Sequence, residues 1–197
     1  MLADRLKKYH IVLASQSPRR QQLLKNLGLE FEVRPLQVDE SYPENLERSE
    51  IAVYLSELKA RNFDFGQLCE NCLIIAADTI VWQDGQVLPK PQDHNEAFRI
   101  LRNLSGNSHE VITGVTFRTI EKLHSFYSCT KVYFKPLTDE EIDYYISNFK
   151  PFDKAGAYGI QEWIGHIGIE KIEGCYFNVV GLPVQKVYTE LLDFFKP

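Results

Sequence analysis

Asp78 is the residue whose surroundings most clearly point to chemistry. It interrupts the apolar run Leu73-Ile-Ile-Ala-Ala-Asp-Thr-Ile-Val-Trp82, and the hydroxyl of Thr79 follows it directly. A carboxylate is costly to bury in such a run unless it meets a cation, hydrogen-bond donors or water. It could be a structural aspartate that caps a nearby loop or pairs with an arginine. It could also be a metal ligand or a general base.

Two adjacent arginines stand where a helix is predicted to begin. In the stretch Ser15-Gln-Ser-Pro-Arg-Arg20 the proline suits a first helical position, so Arg19 and Arg20 fall in the first turn. The backbone N–H groups of a first turn carry partial positive charge, which makes cations unfavourable there unless something negative lies nearby. This stretch therefore suggests a local anion site.

Two further segments offer polar groups from loops. Lys90 lies between two prolines, so a stiffened loop presents it, and a solvated surface lysine is the alternative. The segment Asp153-Lys-Ala-Gly-Ala-Tyr-Gly-Ile-Gln161 combines charge with small residues, which let backbone amides approach a ligand closely. Asp153 could face a metal and Lys154 a phosphate, whereas a tight interlobe turn is the alternative.

Composition and charge exclude several classes of protein. The 197 residues are 44% hydrophobic and 25% charged, as in ordinary globular proteins. Acidic residues outnumber basic ones by 27 to 22, and the formal charge of −5 argues against a general binder of nucleic acid or anionic membranes. The first segment has too few apolar residues for a signal-peptide core or a membrane span. A cytoplasmic protein is predicted.

Cysteine and histidine residues give no clear metal site. Cys69 and Cys72 have a spacing found in zinc and redox sites, but there is no second such pair, so reduced thiols are expected. The five histidines lack ligand spacing and are expected at strand edges or on the surface. A dedicated histidine metal site is therefore not expected.

Hydrophobic periodicity and turn residues predict a mixed α/β fold. Strands are predicted at 10–14, 31–34, 73–82, 109–120, 125–134, 167–172 and 176–180. Helices are predicted at 19–27, 47–63, 93–104, 138–149 and 183–194, the fourth of them opened by a capping box at Thr138. Strands outnumber simple β-α-β repeats, which predicts a mixed sheet flanked by helices.

These segments together closely resemble the Maf family of nucleotide pyrophosphatases. The resemblance runs in order from about residue 10 to 195, over Ser15-Gln-Ser-Pro-Arg-Arg20, Ala77-Asp-Thr79, Lys90-Pro91, Leu104-Ser-Gly106, Asp153–Gln161 and Val180-Gly-Leu-Pro183. It implies one domain over residues 1–197, with two lobes on an elongated, twisted mixed sheet and an active-site cleft between the lobes. The family is often dimeric, so a homodimer is one expectation.

The resemblance also implies an activity. Maf proteins hydrolyse a nucleoside triphosphate to the monophosphate and pyrophosphate with a divalent metal, Mg²⁺ or Mn²⁺. Arg19, Thr79 and Gln161 resemble the specificity residues of the branch that acts on dTTP and UTP. The alternatives are an enzyme that acts on 7-methyl-GTP or on a modified nucleotide and, in a different class, a non-catalytic nucleotide-binding regulator of cell division.

Roles follow for single residues where the chain matches the family. Asp78 matches the proton acceptor, Lys90 a lysine on the phosphate side, and Glu40 an essential acidic residue, although Asp39 beside it leaves the register open. The expected substrate contacts are Ser15, Ser17, Arg19, Arg20, Thr79, Lys154 and Gln161, and the expected metal ligands are Glu40, Asp78 and Asp153. The amide of Gln161 suits the edge of a pyrimidine.

Two departures from the family pattern stand out. Ala76 replaces a glycine that is more usual before Ala77 and Asp78. Glu162 and Trp163 follow Gln161 where glycine is commoner. The second departure could reshape the base pocket.

Overall fold

A computed structural model describes residues 2–67 and 71–196. The strands are β1 (His10–Leu13), β2 (Glu32–Val33), β3 (Cys72–Gln83), β4 (Gln86–Leu88), β5 (Ser108–Arg118), β6 (Leu123–Phe134) and β7 (Ile169–Glu173). The helices are α1 (Leu2–Leu6), α2 (Pro18–Lys25), α3 (Ser49–Arg61), α4 (His94–Leu104), α5 (Asp139–Phe149), α6 (Trp163–Gly168), α7 (Tyr176–Val180) and α8 (Val184–Phe194). Short 3-10 helices cover Phe65–Gln67, Pro151–Asp153 and Ala155–Ala157.

The strands form one mixed sheet, which confirms the predicted α/β fold class. Its order is β2-β1-β3-β5-β6-β7, with β4 paired to β3. Strand β1 runs parallel to both β2 and β3, whereas the β3–β4 and β6–β7 pairs are antiparallel. Strands β5 and β6 are neighbours, as their alternating patterns predicted.

The chain divides into two compact units. The first comprises Met1–Asp78, Thr113–Ser128 and Gly181–Pro197, and the second comprises Thr79–Ile112 and Cys129–Val180. The boundary between them falls between Asp78 and Thr79, two of the predicted site residues. The predicted single two-lobed domain, elongated shape, cleft and homodimer stay predictions.

Each unit has an apolar core built by helix faces against strands. In the first unit, side chains from β1, β3, the end of α3 and the residues just after β1 and α3 pack together: Val12, Ala14, Ala60, Phe63, Cys72, Ile74 and Ala76. In the second unit, α4 and α5 pack on strand residues that include Val81, Val111 and Val132. The capping box at Thr138 begins α5 as predicted, because its side chain accepts from the Glu141 N–H while Glu141 reaches back.

The segment 176–180, predicted as a strand, is instead helix α7. Its alternation of aromatic and branched residues favours a strand, but Asn178 is completely buried there. The Asn178 amide donates to the carbonyl oxygen of Val111 at 2.9 Å and to the hydroxyl of Thr130 at 3.0 Å. These tertiary hydrogen bonds override the local preference, because buried polar groups must be paired. Helices α1 and α6 and strand β4 were not predicted.

Two expectations about cysteine and histidine have different outcomes. Cys72 is buried in β3, whereas Cys69 lies outside the described residues, so the expectation for the pair stays a prediction.

The expectation that all five histidines lie at strand edges or on the surface is wrong for His109, which is 2% exposed. His109 is buried because it packs in the second unit, where its Nε2 and the Tyr158 hydroxyl form a hydrogen bond of 2.7 Å.

Buried His109 should make stability depend on pH. Desolvation lowers the pKa of its imidazole from 6.5 to about 4. Between these values the unfolded chain takes up a proton that the folded chain excludes, so stability falls as the pH drops. We expect a loss of about 3 kcal/mol from pH 6.5 to 4 in urea unfolding, attributable to this residue. His109→Gln should remove that part of the pH dependence and His166→Gln, an exposed control, should retain it; equal slopes in both variants would contradict the assignment.

Candidate active site

Ser15 and Ser17 shape the turn through which β1 passes into α2. Ser17 is the N-cap of α2, and its hydroxyl oxygen accepts from the backbone N–H of Arg20 at 3.4 Å. Pro18 occupies the first helical turn, as predicted. The hydroxyl oxygen of Ser15 accepts from the N–H of Ser17 at 3.2 Å. Both hydroxyls that the resemblance assigns to the substrate thus also hold the backbone of this turn.

Arg20 is held by acceptors of the protein itself. Its Nε donates to the carbonyl oxygen of Gly181 at 2.9 Å, and its Nη1 donates to that of Ala77 at 2.9 Å and to the Ser15 hydroxyl at 3.4 Å. Burial lowers the pKa of Arg20, while the charge of Asp78 acts in the opposite direction. The groups that compensate the positive charge of Arg20 in the first turn of α2 therefore include the carbonyl oxygen of Ala77 in β3 and the carboxylate of Asp78.

Lys59 on α3 is the site residue that sequence reasoning missed. Its ammonium group lies 2.8 Å from Oε1 of Glu40 and also contacts the carboxylate of Asp78. The side chains of Lys59 and Asp78 are only 10% and 11% exposed, whereas that of Glu40 is 46% exposed. Each buried charge would be costly alone, and the contact compensates both. The buried Asp78 is thus paired with a lysine, and the charge of Arg20 also acts on it.

One signal in the sequence could have revealed Lys59. Helix α3 buries Ala52, Leu55 and Ser56 on the face that also includes Lys59. These positions recur at the three- and four-residue spacing of one helix face. A lysine on a face that spacing assigns to the core needs a buried partner, which marks it as a candidate site residue.

Two contacts within the first unit hold α3 in place. A Cβ atom on Gly114 of β5 would lie only 2.1 Å from the carbonyl oxygen of Ala52, so helix and strand approach each other with no room for a side chain. At the other end, Nη1 of Arg118 donates to the carbonyl oxygen of Ala60 at 2.7 Å. The position of Lys59 therefore depends on this close packing.

The loop before α3 settles which acidic residue reaches Lys59. Asp39 uses its carboxylate locally, accepting the N–H of Ser41 at 3.0 Å in a turn. Glu40 extends to Lys59 instead. The geometry therefore selects Glu40, rather than Asp39, as the carboxylate that shares Lys59 with Asp78.

The remaining predicted residues belong to the second unit. They are Thr79, Lys90, Asp153, Lys154 and Gln161. Thr79 lies in β3, and Lys90 is exposed in the loop after β4. The carbonyl oxygen of Pro89, next to Lys90, accepts the N–H of Gly156 at 3.2 Å. The structure thus brings the Lys90 loop against the glycine-containing segment.

Lys154 is buried and paired with carboxylates of its own unit. Its Nζ lies 2.7 Å from Oδ1 of Asp153 and 3.1 Å from Oε1 of Glu162. Asp153 is 60% exposed, whereas Lys154 is 8% exposed. The ammonium is thereby fixed between two acceptors, and the roles of Asp153 toward a metal and Lys154 toward a phosphate stay predictions.

Gln161 has an unsatisfied buried acceptor. Its Oε1 is buried and has no hydrogen-bond partner among the described residues. Its Nε2 lies close to Gly159, where an added Cβ would be 2.9 Å away. Buried polar atoms in proteins are nearly always paired. This oxygen is therefore available to a donor group on a ligand.

Comparison with known proteins gives the family. The family model described as Maf-like protein matches residues 10–194, nearly the whole chain. The chain belongs to the Maf family. It is 51% identical to the dTTP/UTP pyrophosphatase of Flavobacterium johnsoniae, over 97% of this chain and 98% of the relative. The relative of the same name from Cytophaga hutchinsonii is 53% identical, over 100% and 89% of the two chains, and that from Porphyromonas gingivalis W83 is 48% identical, over 98% of each.

The two departures from the usual Maf pattern have different structural consequences. Ala76 is completely buried in the core of the first unit, where its methyl group packs with Val12 and Ile74. Glu162, at the second position, has a carboxylate that contacts Lys154 and also accepts a hydrogen bond from the Tyr145 hydroxyl. The second position thus makes polar contacts beside Gln161, whereas the first contributes to apolar packing; the expectation that Glu162 reshapes the base pocket stays a prediction.

Within residues 2–67 and 71–196, each helix falls short of the length or the apolar character needed to cross a bilayer. The cytoplasmic location stays a prediction.

Proposed function

We propose that this Maf protein hydrolyses dTTP and UTP to the corresponding monophosphates and pyrophosphate. Relatives that are about half identical over nearly their full length carry the name dTTP/UTP pyrophosphatase, which supports this substrate class. One structural observation carries the proposal: the carboxylates of Glu40 and Asp78 both contact the ammonium group of Lys59. Phosphoryl chemistry depends on such an arrangement of charges far more than on covalent chemistry by the protein.

A divalent cation, Mg²⁺ or Mn²⁺, is part of this proposal. The carboxylate oxygens of Glu40 and Asp78 both contact the ammonium group of Lys59, so they lie close together. Mg²⁺ is commonly bound by one or two carboxylates together with substrate phosphates. Among the described residues, no group of three or more His, Cys, Asp or Glu is placed to hold a metal. When bound, the ion would neutralise charge on the phosphate oxygens. Substrate and water would complete its coordination.

The residues of the first unit would handle the reacting phosphate and water. Lys59 supplies positive charge at Asp78, and the charge of Arg20 also acts on Asp78. The planar guanidinium of Arg19, which follows Pro18 in the first turn of α2, suits a bidentate phosphate contact. Asp78 orients the attacking water or accepts its proton. Lys59 pairs with the Asp78 carboxylate and compensates its charge in this buried position.

The base preference would follow from the unsatisfied oxygen of Gln161. Thymine and uracil carry an N–H donor at N3, whereas cytosine carries an acceptor there. Oε1 of Gln161 can accept from that N–H and would face a second acceptor in cytosine. A site built around a buried hydrogen bond rejects the analogue that lacks it, because the site's polar group is left unpaired.

A panel of nucleoside triphosphates tests the proposal. We expect pyrophosphate release from dTTP and UTP with kcat/KM about 100-fold above that for CTP, because the mismatched acceptors are left unpaired. EDTA should abolish release, and added Mg²⁺ or Mn²⁺ should restore it. Preference for 7-methyl-GTP would assign the protein to the other branch. Binding of nucleotides without pyrophosphate release would instead favour the non-catalytic regulator.

A further inference from the structure

Glu162 connects three parts of the second unit through its carboxylate. One oxygen, Oε1, lies 3.1 Å from Nζ of Lys154, and the other, Oε2, accepts a hydrogen bond from the hydroxyl of Tyr145 on α5. The oxygen of that hydroxyl accepts in turn from the backbone N–H of Gly159 at 3.1 Å. The carboxylate is thereby linked, through one tyrosine, to the backbone two residues before Gln161.

The carboxylate is committed to these contacts rather than to its own helix. Glu162 occupies the N-cap position of α6, where an acidic side chain would ordinarily accept from the first turn, yet it makes no such hydrogen bond. Tyr145 is completely buried. Burial, reinforced by the hydrogen bond to Glu162, raises the pKa of Tyr145, so its phenol remains a donor. The linkage therefore has a fixed direction of hydrogen bonding.

The same network bears directly on the amide of Gln161. A Cβ atom added to Gly159 would lie 2.9 Å from Nε2 of Gln161 and 2.9 Å from Cδ of Glu162, so both side chains converge on the bare face of this glycine. The carbonyl oxygen of Gly159 accepts from the N–H of Glu162 at 3.0 Å. The backbone of Gly159, which the Gln161 amide approaches, is thus hydrogen-bonded through both its N–H and its carbonyl group.

We propose that Glu162 is a positioning residue that fixes the Gln161 amide through Tyr145 and Gly159, and so sharpens the choice between pyrimidine bases. The inference rests on the proposed function. It gives a physical role to the position where the chain departs from the usual Maf pattern. Glu162 contributes no contact to the reacting phosphate in this role; it determines how accurately the buried oxygen of Gln161 is presented.

Two substitutions test the linkage. Tyr145→Phe removes the hydroxyl while keeping the ring, and Glu162→Ala removes the carboxylate. We expect each to lower the ratio of kcat/KM for dTTP over CTP about tenfold, mostly by raising KM for dTTP, with kcat changed less than about threefold. Glu162→Gln should retain most of the ratio, because its amide oxygen still accepts from Tyr145. Tyr144→Phe, at the exposed neighbouring tyrosine of α5, is the matched control and should behave as wild type.

The outcomes separate this inference from the proposed function. If the wild-type protein shows no preference for dTTP and UTP, the proposed function fails and the inference fails with it. If the wild type discriminates and both Tyr145→Phe and Glu162→Ala discriminate equally well, the inference alone is overturned. A purely structural role would lower the melting temperature and the rates for all nucleotides alike, leaving the dTTP to CTP ratio unchanged, and would also overturn it.

Discussion

Replacing Asp78 by asparagine should lower kcat/KM for dTTP and UTP by about 1,000-fold, within the range for loss of a general base. The amide has the same shape but cannot take a proton from water and is a weaker ligand for a divalent cation. Lys59 keeps Glu40 as a partner at 2.8 Å, so the substitution does not leave a buried ammonium uncompensated. Pyrophosphate release at saturating Mg²⁺ measures the effect, and thermal unfolding verifies that the variant is folded.

Asp193→Asn is the matched control for this experiment. Asp193 lies in the same unit, and its side chain is 51% exposed in an ion pair with Lys196. Exposed pairs of this kind contribute little to stability, so the control should have wild-type turnover and a nearly unchanged melting temperature. Wild-type turnover in Asp78→Asn itself would reject the assignment of Asp78 to the reaction.

Gly114→Ala should destabilise the protein by about 4 kcal/mol or more, as for overpacked core positions with no room to relax. The added methyl group would be placed 2.1 Å from the carbonyl oxygen of Ala52, and the backbone of α3 cannot move aside as a flexible side chain could. We expect the melting temperature to fall by about 10 °C or more for a chain of this size. Because α3 carries Lys59, any shift of the helix should also lower nucleotide hydrolysis.

Gly28→Ala separates crowding from the general cost of replacing a glycine. Gly28 has a φ of 73°, and no described heavy atom lies within 4 Å of an added Cβ. Its replacement should cost only the strain of the left-handed conformation, about 1 kcal/mol. Urea unfolding of both variants gives the comparison. Equal destabilisation would show that the close approach of α3 and β5 does not govern stability.

Local patterns in the sequence predict much of the fold. The apolar run around Asp78 indicates β3, Pro18 indicates the beginning of α2, and the capping box at Thr138 begins α5, as the structure confirms. Such signals involve residues a few positions apart, so they need no knowledge of the rest of the chain. They fail at 176–180, where the hydrogen bonds of Asn178 to distant residues determine a helix.

The candidate site likewise has features that the local sequence predicts and features that depend on distant contacts. By itself the sequence determined that Asp78 is a carboxylate in an apolar strand and therefore needs a compensating partner. Only the tertiary structure decided that the partner is Lys59, shared with Glu40, because that contact depends on how closely α3 packs against β5 at Gly114. The local sequence shows that a buried charge requires a compensating partner. The identity of that partner depends on the packing of elements that are distant in the chain.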